Sequence, residues 1–175
     1  MKTLTLLRHA KSGWDDPIAR DFDRPLNPRG RRAAQTVAKE MRRLGLRFDL
    51  VLASPARRVM ETIEEVERVF GSLSPRYERD IYLAVPETLL DLVRHADGTG
   101  DRLLLIGHSP GLESLALALS GPGALRDALE VKYPTATLAE ITLPAGEWRE
   151  VRAGSGSLSR FIRPRDLDPE LGPED

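Results

Sequence analysis

Two of the three histidines in this 175-residue chain stand where apolar runs with the composition of buried β-strands come to an end. His9 follows the run 3–7, with Arg8 directly before it, and His108 follows the run 103–106. In an open α/β sheet, ligands bind outside the carboxyl ends of the strands, where residues distant in sequence meet. The matched positions of the two histidines, with an arginine beside the first, predict an anion site built around imidazole chemistry.

A third polar cluster, Ser54 with Arg57 and Arg58, follows another apolar run. Ser54, and Ser109 after His108, are each followed by a proline and a helical pattern, so helix N-termini are expected at the same edge of the sheet. Free N–H groups at a helix N-terminus favour a phosphate or sulfate, and guanidinium groups donate to the oxygens of such anions in pairs. The clusters together predict a phosphoryl group as the ligand.

The two histidines suit different protonation states at such a site. Nearby arginines disfavour a second positive charge and so favour the neutral imidazole of His9, which is the form that can attack phosphorus. His108, if protonated, stabilises negative charge on the transferring group. The sequence does not assign either state.

The elements that must position these residues follow from hydrophobic periodicity. Strand-like and helix-like patterns alternate four times, which predicts a mostly parallel sheet with helices on both faces. The expected fold class is therefore α/β, a three-layer α/β/α arrangement with an antiparallel edge hairpin near the C-terminus. A weak strand is predicted at 81–84 and is followed by a helix at 86–96. The strands of the predicted hairpin are 137–143 and 147–151.

Composition narrows the class of protein. The chain has no cysteine, which excludes disulfides, thiolate nucleophiles and zinc knuckles, and its net charge of −1 gives no general attraction to nucleic acid or to an anionic membrane. No apolar run is long enough for a membrane span. We expect one domain over residues 1–160, a partly disordered tail over 161–175, and a cytoplasmic protein.

Three motifs in order resemble the histidine phosphatase superfamily, also called phosphoglycerate mutase-like. They are Leu7-Arg8-His9-Ala10-Lys11-Ser12, then Ser54-Pro55-Ala56-Arg57-Arg58 with Thr62, then Gly107-His108. Within the superfamily the chain is most similar to the small SixA-type phosphohistidine phosphatases, which Asp23-Arg24-Pro25-Leu26 and Tyr133-Pro134-Thr135-Ala136 also resemble. The resemblance runs from about residue 1 to residue 151.

The resemblance implies a covalent mechanism. His9 takes the phosphoryl group, water then releases it as inorganic phosphate, and neither a metal nor another cofactor is required. Arg8, Arg58 and His108 match the phosphate pocket of the family, and Arg57 is expected to be a surface neighbour.

Further candidates come from the loops. The connection 10–27 exceeds the roughly 12–15 residues usual for an unstructured loop, which favours a functional role. Lys11 and Ser12 in this loop, and Ser109 beside His108, are expected to bind substrate, whereas Trp14 suits either the pocket rim or an anchoring role. The loop's four aspartates suggest a metal, but neighbouring arginines would repel a cation, so no metal is expected.

The general acid has no clear match in the sequence. Asp80 is the first candidate, Glu87 and Glu78 are alternatives, and all three are equally well explained as solvated surface carboxylates. The P–N bond of phosphohistidine is labile, so a weak or absent acid would impair that substrate less than an alkyl phosphate.

The function expected from these features is a phosphatase for phosphohistidine on other proteins. The loops leave little room for an inserted cap over the site, which favours a substrate as large as a protein. A phosphatase for small phosphomonoesters is the alternative. A mutase must hold its substrate for return transfer of the phosphoryl group, which agrees less well with the lack of a cap. A non-catalytic phosphate-binding module agrees less well with the paired histidines.

Overall fold

The computed structural model describes residues 1–13 and 20–172 and contains a six-stranded sheet in the order β3-β2-β4-β1-β5-β6. The strands are β1 (Lys2–Arg8), β2 (Leu50–Ala53), β3 (Arg76–Tyr77), β4 (Arg102–Gly107), β5 (Leu138–Leu143) and β6 (Ser157–Ile162). Strands β1 to β4 run parallel, β5 is antiparallel to β1, and β6 is antiparallel to β5. The predicted α/β class with an antiparallel edge is confirmed.

Helices cover both faces of this sheet. The helices are α1 (Pro28–Arg43), α2 (Arg57–Phe70), α3 (Pro86–Arg94), α4 (Gly111–Leu119), α5 (Ala124–Val131) and α6 (Pro164–Leu167). Apolar residues of α1 and α2 pack on one face, and those of α3, α4 and α5 pack on the other. Within the described ranges, no helix has both the length and the apolar character needed to cross a membrane.

Strands β1 and β4 lie at the centre of the sheet and are buried on both faces. Leu4 and Leu6 point into the core under α3 and α4, whereas Leu7 points into the core under α1 and α2. A strand covered on both faces must be apolar at every position rather than at alternate positions. This explains why the run 103–106 before His108 is continuously apolar, whereas the run before His9 contains Thr5, a polar residue that is also buried.

Helix α1 is held against the segment that follows His9. The Asn27 side chain caps the helix by accepting a hydrogen bond from the backbone N–H of Gly30 (2.7 Å), and Asn27 N–H donates to the carbonyl of Lys11 (3.0 Å). A Cβ on Gly30 would lie 2.1 Å from that same carbonyl oxygen. The contact between α1 and the segment that bears Lys11 therefore requires glycine at position 30.

Two predicted strands are wrong. Arg79–Ile81 forms a 3₁₀ turn, and the short edge strand β3 lies just before it. Trp148–Glu150 forms another 3₁₀ turn, so the antiparallel partner of β5 is β6. In both turns the residue that gave the strand-like pattern is a buried anchor: Ile81 is buried, and Trp148 is buried with its Nε1–H donating to the Gly100 carbonyl (2.8 Å).

The tail predicted for 161–175 is structured through residue 172. The predicted boundary at 160 falls inside β6, after which α6 and a further 3₁₀ turn at Pro169–Leu171 follow. Leu171 is buried against α1 and α2, and Arg32 of α1 pairs with Asp168 (2.7 Å). Apolar packing and ion pairs from Arg32 to Asp168 and Glu170 thus hold a segment whose composition resembles a disordered tail.

Replacing Gly30 with alanine is expected to lower the free energy of unfolding by about 1–3 kcal/mol, because the new methyl group must displace the Lys11 backbone. Urea unfolding measures the change. Gly146→Ala is the matched control, since its Cβ would make only ordinary contact, at 3.5 Å from the Glu150 carboxylate. Equal stability of the two variants would contradict the proposed close approach.

Candidate active site

The parallel pairing of β1 with β4 brings His9 and His108 together. Arg8 lies opposite Gly107 in the strand register, and the next residue, His9, donates its backbone N–H to the Gly107 carbonyl (3.0 Å). The two imidazole rings lie 5.2 Å apart between centroids. The predicted convergence of the two strand ends is therefore present in the structure.

A cleft of about 490 Å³ opens at this edge of the sheet. It is lined by Arg8, His9, Lys11, Ser12, Asp21, Arg24, Arg58, Leu83, His108, Ser109 and Thr135. The lining contains every residue predicted to bind or transfer the phosphoryl group, whereas the three candidate acids, Asp80, Glu78 and Glu87, are outside it. The cleft also contains residues that sequence reasoning did not assign to a site, namely Asp21, Arg24, Leu83 and Thr135.

The ring of His9 is oriented by its own loop. Its Nδ1 lies 2.7 Å from the Ala10 carbonyl oxygen, which can only accept, so Nδ1 carries the proton and Nε2 retains its lone pair. Burial lowers the pKa of His9 well below its usual value despite this hydrogen bond, and His108, Arg58 and Arg8 lower it further. The predicted neutral state agrees with this direction, although burial is the largest cause and the arginines are secondary.

His108 is also neutral in the free protein. Arg58 Nη2 can only donate, so His108 Nδ1 accepts from it (3.2 Å) and the proton lies on Nε2, which donates to Ser54 Oγ (2.8 Å). Burial, followed by the charge of Arg58, lowers the pKa of His108 to about 4. The cationic form considered from the sequence is therefore disfavoured until an anion binds.

Arg58 links the two sides of the cleft. Its side chain is almost fully buried and donates to the backbone carbonyl of Asp21 (2.6 Å) and to Asp21 Oδ2 (3.1 Å). Tyr82 O–H donates to the same Oδ2 (2.5 Å). Burial alone would raise the pKa of Asp21, but the Tyr82 hydrogen bond and the Arg58 charge lower it overall, so Asp21 is ionised and orients Arg58.

A threonine connects the segment after His9 to the same arginine. Thr62 Oγ1 accepts from the Ala10 backbone N–H (2.9 Å) and donates to the Arg58 carbonyl (2.7 Å). Both groups are buried, so these hydrogen bonds form away from competing water. Thr62 thereby fixes the position of the His9 segment relative to the start of α2.

The long loop between β1 and α1 closes on itself and so brings polar residues to the cleft. Gly13 N–H donates to the Pro25 carbonyl (3.2 Å), and Ser12 pairs with Leu26 in an isolated antiparallel bridge. This pairing places Lys11 and Ser12 on one arm and Asp21 and Arg24 on the other, all in the cleft lining. Trp14, Asp15 and Asp16 lie outside the described residues.

Beside His108, the cleft contains buried polar atoms that make no hydrogen bond within the part of the chain that the structure describes. They are Arg58 Nε and Ser109 Oγ. Buried donors are ordinarily satisfied, because an unmet hydrogen bond costs about 1–3 kcal/mol. Both lie beside His108, which fits a site whose remaining hydrogen-bond partners come from a ligand.

The structure does not bring Asp80 to the cleft. Asp80 lies on the 3₁₀ turn and is exposed. Glu87, at the start of α3, is also exposed, and Glu78 forms an ion pair with Arg76 (3.1 Å). Among the described residues that line the cleft, Asp21 is the one carboxylate. Arg57 extends away and pairs with Glu61 (2.8 Å), in agreement with its prediction as a neighbour of the site.

Residues 1–13 and 20–172 form no cluster of three or more histidine or acidic side chains that could hold a metal ion. Asp21, one of the four loop aspartates considered from the sequence, is engaged by Arg58 and Arg24. A neutral imidazole beside guanidinium groups is an arrangement suited to attack on phosphorus, with the oxygens of the phosphoryl group held by the guanidinium groups.

The family model of the histidine phosphatase superfamily (branch 1) matches residues 4–82. An uncharacterised protein of Mycobacterium tuberculosis is 34% identical over 164 residues, which are 91% of this chain and 100% of that protein.

Two solved structures are similar over nearly their full lengths. A protein of Agrobacterium tumefaciens provisionally named the phosphohistidine phosphatase SixA has a TM-score of 0.78 and 32% identity, covering 92% of this chain and 97% of its own. The protein histidine phosphatase SixA in complex with tungstate has a TM-score of 0.72 over 95% of this chain and 99% of its own, and at 22% identity it supports the fold alone.

Stability is expected to fall as the pH is lowered from about 6.5 to 4, the interval between the pKa of an unfolded histidine and that of His108. In this interval the unfolded chain binds a proton that folded His108 does not bind, so acid favours unfolding. The full effect of one histidine is roughly 3 kcal/mol.

Urea unfolding at several pH values, without phosphate or other oxyanions, measures this dependence. The variant His108→Gln removes the titrating group, so its stability should change less between pH 6.5 and 4 than that of the wild type. Parallel curves for the two proteins would contradict a lowered pKa at His108.

Proposed function

The chain belongs to the histidine phosphatase superfamily and is a phosphatase, and from this premise we propose that it dephosphorylates phosphohistidine on proteins, with His9 as the nucleophile. The observation that carries the proposal is the state of His9. Its imidazole is neutral, and its proton is held on Nδ1 by the Ala10 carbonyl, which leaves the Nε2 lone pair available in a cleft lined by arginines.

In the first step the Nε2 lone pair of His9 attacks phosphorus. The new N–P bond forms as the P–N bond of the substrate breaks, and the electron pair of that bond stays on the departing imidazole, which takes a proton from solvent. Negative charge on the transferring oxygens is offset by Arg8 and Arg58, as positioned cations do in phosphoryl transfer.

In the second step water attacks the phosphorylated His9. The N–P bond breaks, its electron pair returns to Nε2, and inorganic phosphate leaves. As far as the described residues define it, the cleft is open to solvent, so water can reach the phosphorylated imidazole.

His108 joins the charge-stabilising groups when the phosphoryl group arrives. A dianion beside His108 favours its protonated form, because an opposite charge raises the pKa of an imidazole. Once protonated, Nδ1 gives up the hydrogen bond that it accepted from Arg58 Nη2, so both groups can donate to the anion, while Nε2–H keeps its hydrogen bond to Ser54. Lys11, Ser12 and Ser109 complete the set of groups that bind the substrate.

The lack of a suitable proton donor among the described carboxylates of the cleft favours a phosphoramidate substrate over an alkyl phosphate ester. Asp21, the carboxylate among the described lining residues, has a lowered pKa and accepts hydrogen bonds from Arg58 and Tyr82, so it is poorly suited to donate a proton. Imidazole is a far better leaving group than an alkoxide and does not need an acid within the site.

His9→Ala is expected to abolish formation of the phosphorylated enzyme, because no other described histidine places a free nitrogen toward the cleft. The measurement is transfer of label from a phosphohistidine protein, quenched in base so that phosphoramidates survive. His95→Ala is the matched control, since His95 is exposed near the end of α3. Label on the His9→Ala protein, or unchanged turnover by it, would refute the mechanism.

Asp21→Asn is expected to lower kcat/KM on phosphohistidine by about tenfold, because a charged hydrogen bond of roughly 1.5–3 kcal/mol that orients Arg58 is weakened. Asp80→Asn should stay within about twofold of the wild type, since Asp80 does not line the cleft. Steady-state kinetics of the two variants on one substrate distinguish them. A larger loss in Asp80→Asn would instead identify Asp80 as the proton donor.

A further inference from the structure

We propose that an apolar pocket beside the cleft binds an apolar side chain that neighbours the phosphorylated residue on the substrate polypeptide. The proposal rests on the proposed function and adds a specificity element to it. The pocket has a volume of about 170 Å³ and lies between the segment 83–86 and the start of α4. This space is many times that needed for one ordered water molecule.

The pocket and the cleft are continuous. Leu83, His108 and Ser109 line both, so a molecule whose phosphoryl group reaches His9 passes directly beside the pocket. The occupant is therefore part of the same molecule as the phosphoryl group. The walls contributed by Leu83, Val85 and the flanking prolines are apolar, which favours an apolar group over a second anion.

Leu83 holds an unusual position for a leucine. It is 57% exposed, and so is Val85, in a fold that buries most of its other large apolar side chains. Leu83 also has a φ of +50°, a left-handed conformation that side chains other than glycine, asparagine and aspartate rarely adopt. Strained residues of this kind cluster at ligand-binding sites and persist only where their surroundings hold them.

The surroundings of Leu83 do hold it in place. Before it, Ile81 is buried in the core and Tyr82 donates its O–H to Asp21 Oδ2 (2.5 Å). After it, the Ala84 carbonyl oxygen lies where a Cβ on Gly111 would be, at 2.3 Å, so glycine at this position lets the segment pack on the start of α4. The contacts on both sides of Leu83 thus hold it in this conformation, and Ala84 and Gly111 line the pocket together with it.

The combination of a basic cleft and an apolar pocket selects an amphipathic ligand. A free phosphoramidate or a small polar phosphoester satisfies the arginines and leaves Leu83 and Val85 in water. A phosphorylated polypeptide with a leucine or another apolar residue next to its phosphohistidine satisfies both. Burying such a side chain is expected to raise kcat/KM by about tenfold, which corresponds to about 1.4 kcal/mol.

Three substrates test the proposal. Two phosphohistidine peptides are identical except that the residues on both sides of the phosphohistidine are leucine in one and serine in the other. The third substrate is phosphoramidate, which has no organic group. The variants are Leu83→Asn, which removes the apolar side chain and keeps a residue that tolerates positive φ, and Val85→Thr, which changes polarity at nearly constant shape.

Val131→Thr is the matched control, because Val131 is 87% exposed at the end of α5 and does not line the pocket. For the wild type and for Val131→Thr we expect kcat/KM to be about tenfold higher on the leucine peptide than on the serine peptide. In Leu83→Asn and Val85→Thr this ratio should fall to between one and three.

The other outcomes overturn the proposal. An equal rate on both peptides in the wild type, or an unchanged ratio in both pocket variants, shows that the pocket does not bind the neighbouring side chain. A loss on phosphoramidate as large as the loss on the leucine peptide assigns Leu83 to the chemical step instead. Failure of the wild type on all three substrates refutes the proposed function itself, whereas activity without preference refutes the pocket alone.

Discussion

The in-register parallel pairing of β1 with β4 is the constraint on which the site depends. Both strands are buried between two helical layers, and alternate side chains pack against opposite layers. A slip of one residue in their register would turn each side chain towards the opposite layer, where it would not fit. Because this register is fixed, the residues directly after the two strands are fixed as well. The hydrogen bond from His9 N–H to the Gly107 carbonyl continues the β1–β4 pairing by one residue and so fixes the His9 backbone at the edge of the cleft.

Burial then sets the electrostatic state of the site. Both imidazoles are withdrawn from water beside buried guanidinium groups, and burial is the largest cause of the lowered pKa at each. Positive charge in the cleft is thus concentrated on arginines, which cannot lose their protons, while the histidines remain free to act as a nucleophile and as a proton acceptor. Arg58 connects the charged and the neutral groups of the cleft, because it donates hydrogen bonds to the Asp21 carboxylate on one side and to His108 on the other.

The features that the sequence predicts well are those that depend on local burial. His9 and His108 directly follow strands rich in buried apolar residues, and Arg58 lies at the start of the helix after a third such strand, so their convergence could be inferred before any coordinates. Asp21 and Arg24 could not be placed in the same way, because their positions depend on pairing between the two arms of a long loop, from Gly13 to Pro25. Trp148 gave a strand-like signal, yet its burial and its indole hydrogen bond to Gly100 anchor a turn.

The internal partners of Arg58 also determine how this side chain meets a ligand. In the free protein the Arg58 guanidinium already donates to the Asp21 backbone and carboxylate and to His108. An oxyanion that binds beside Arg58 therefore meets a guanidinium whose orientation is already fixed. Because the long side chain is ordered before the ligand arrives, less free energy is lost in ordering it on binding.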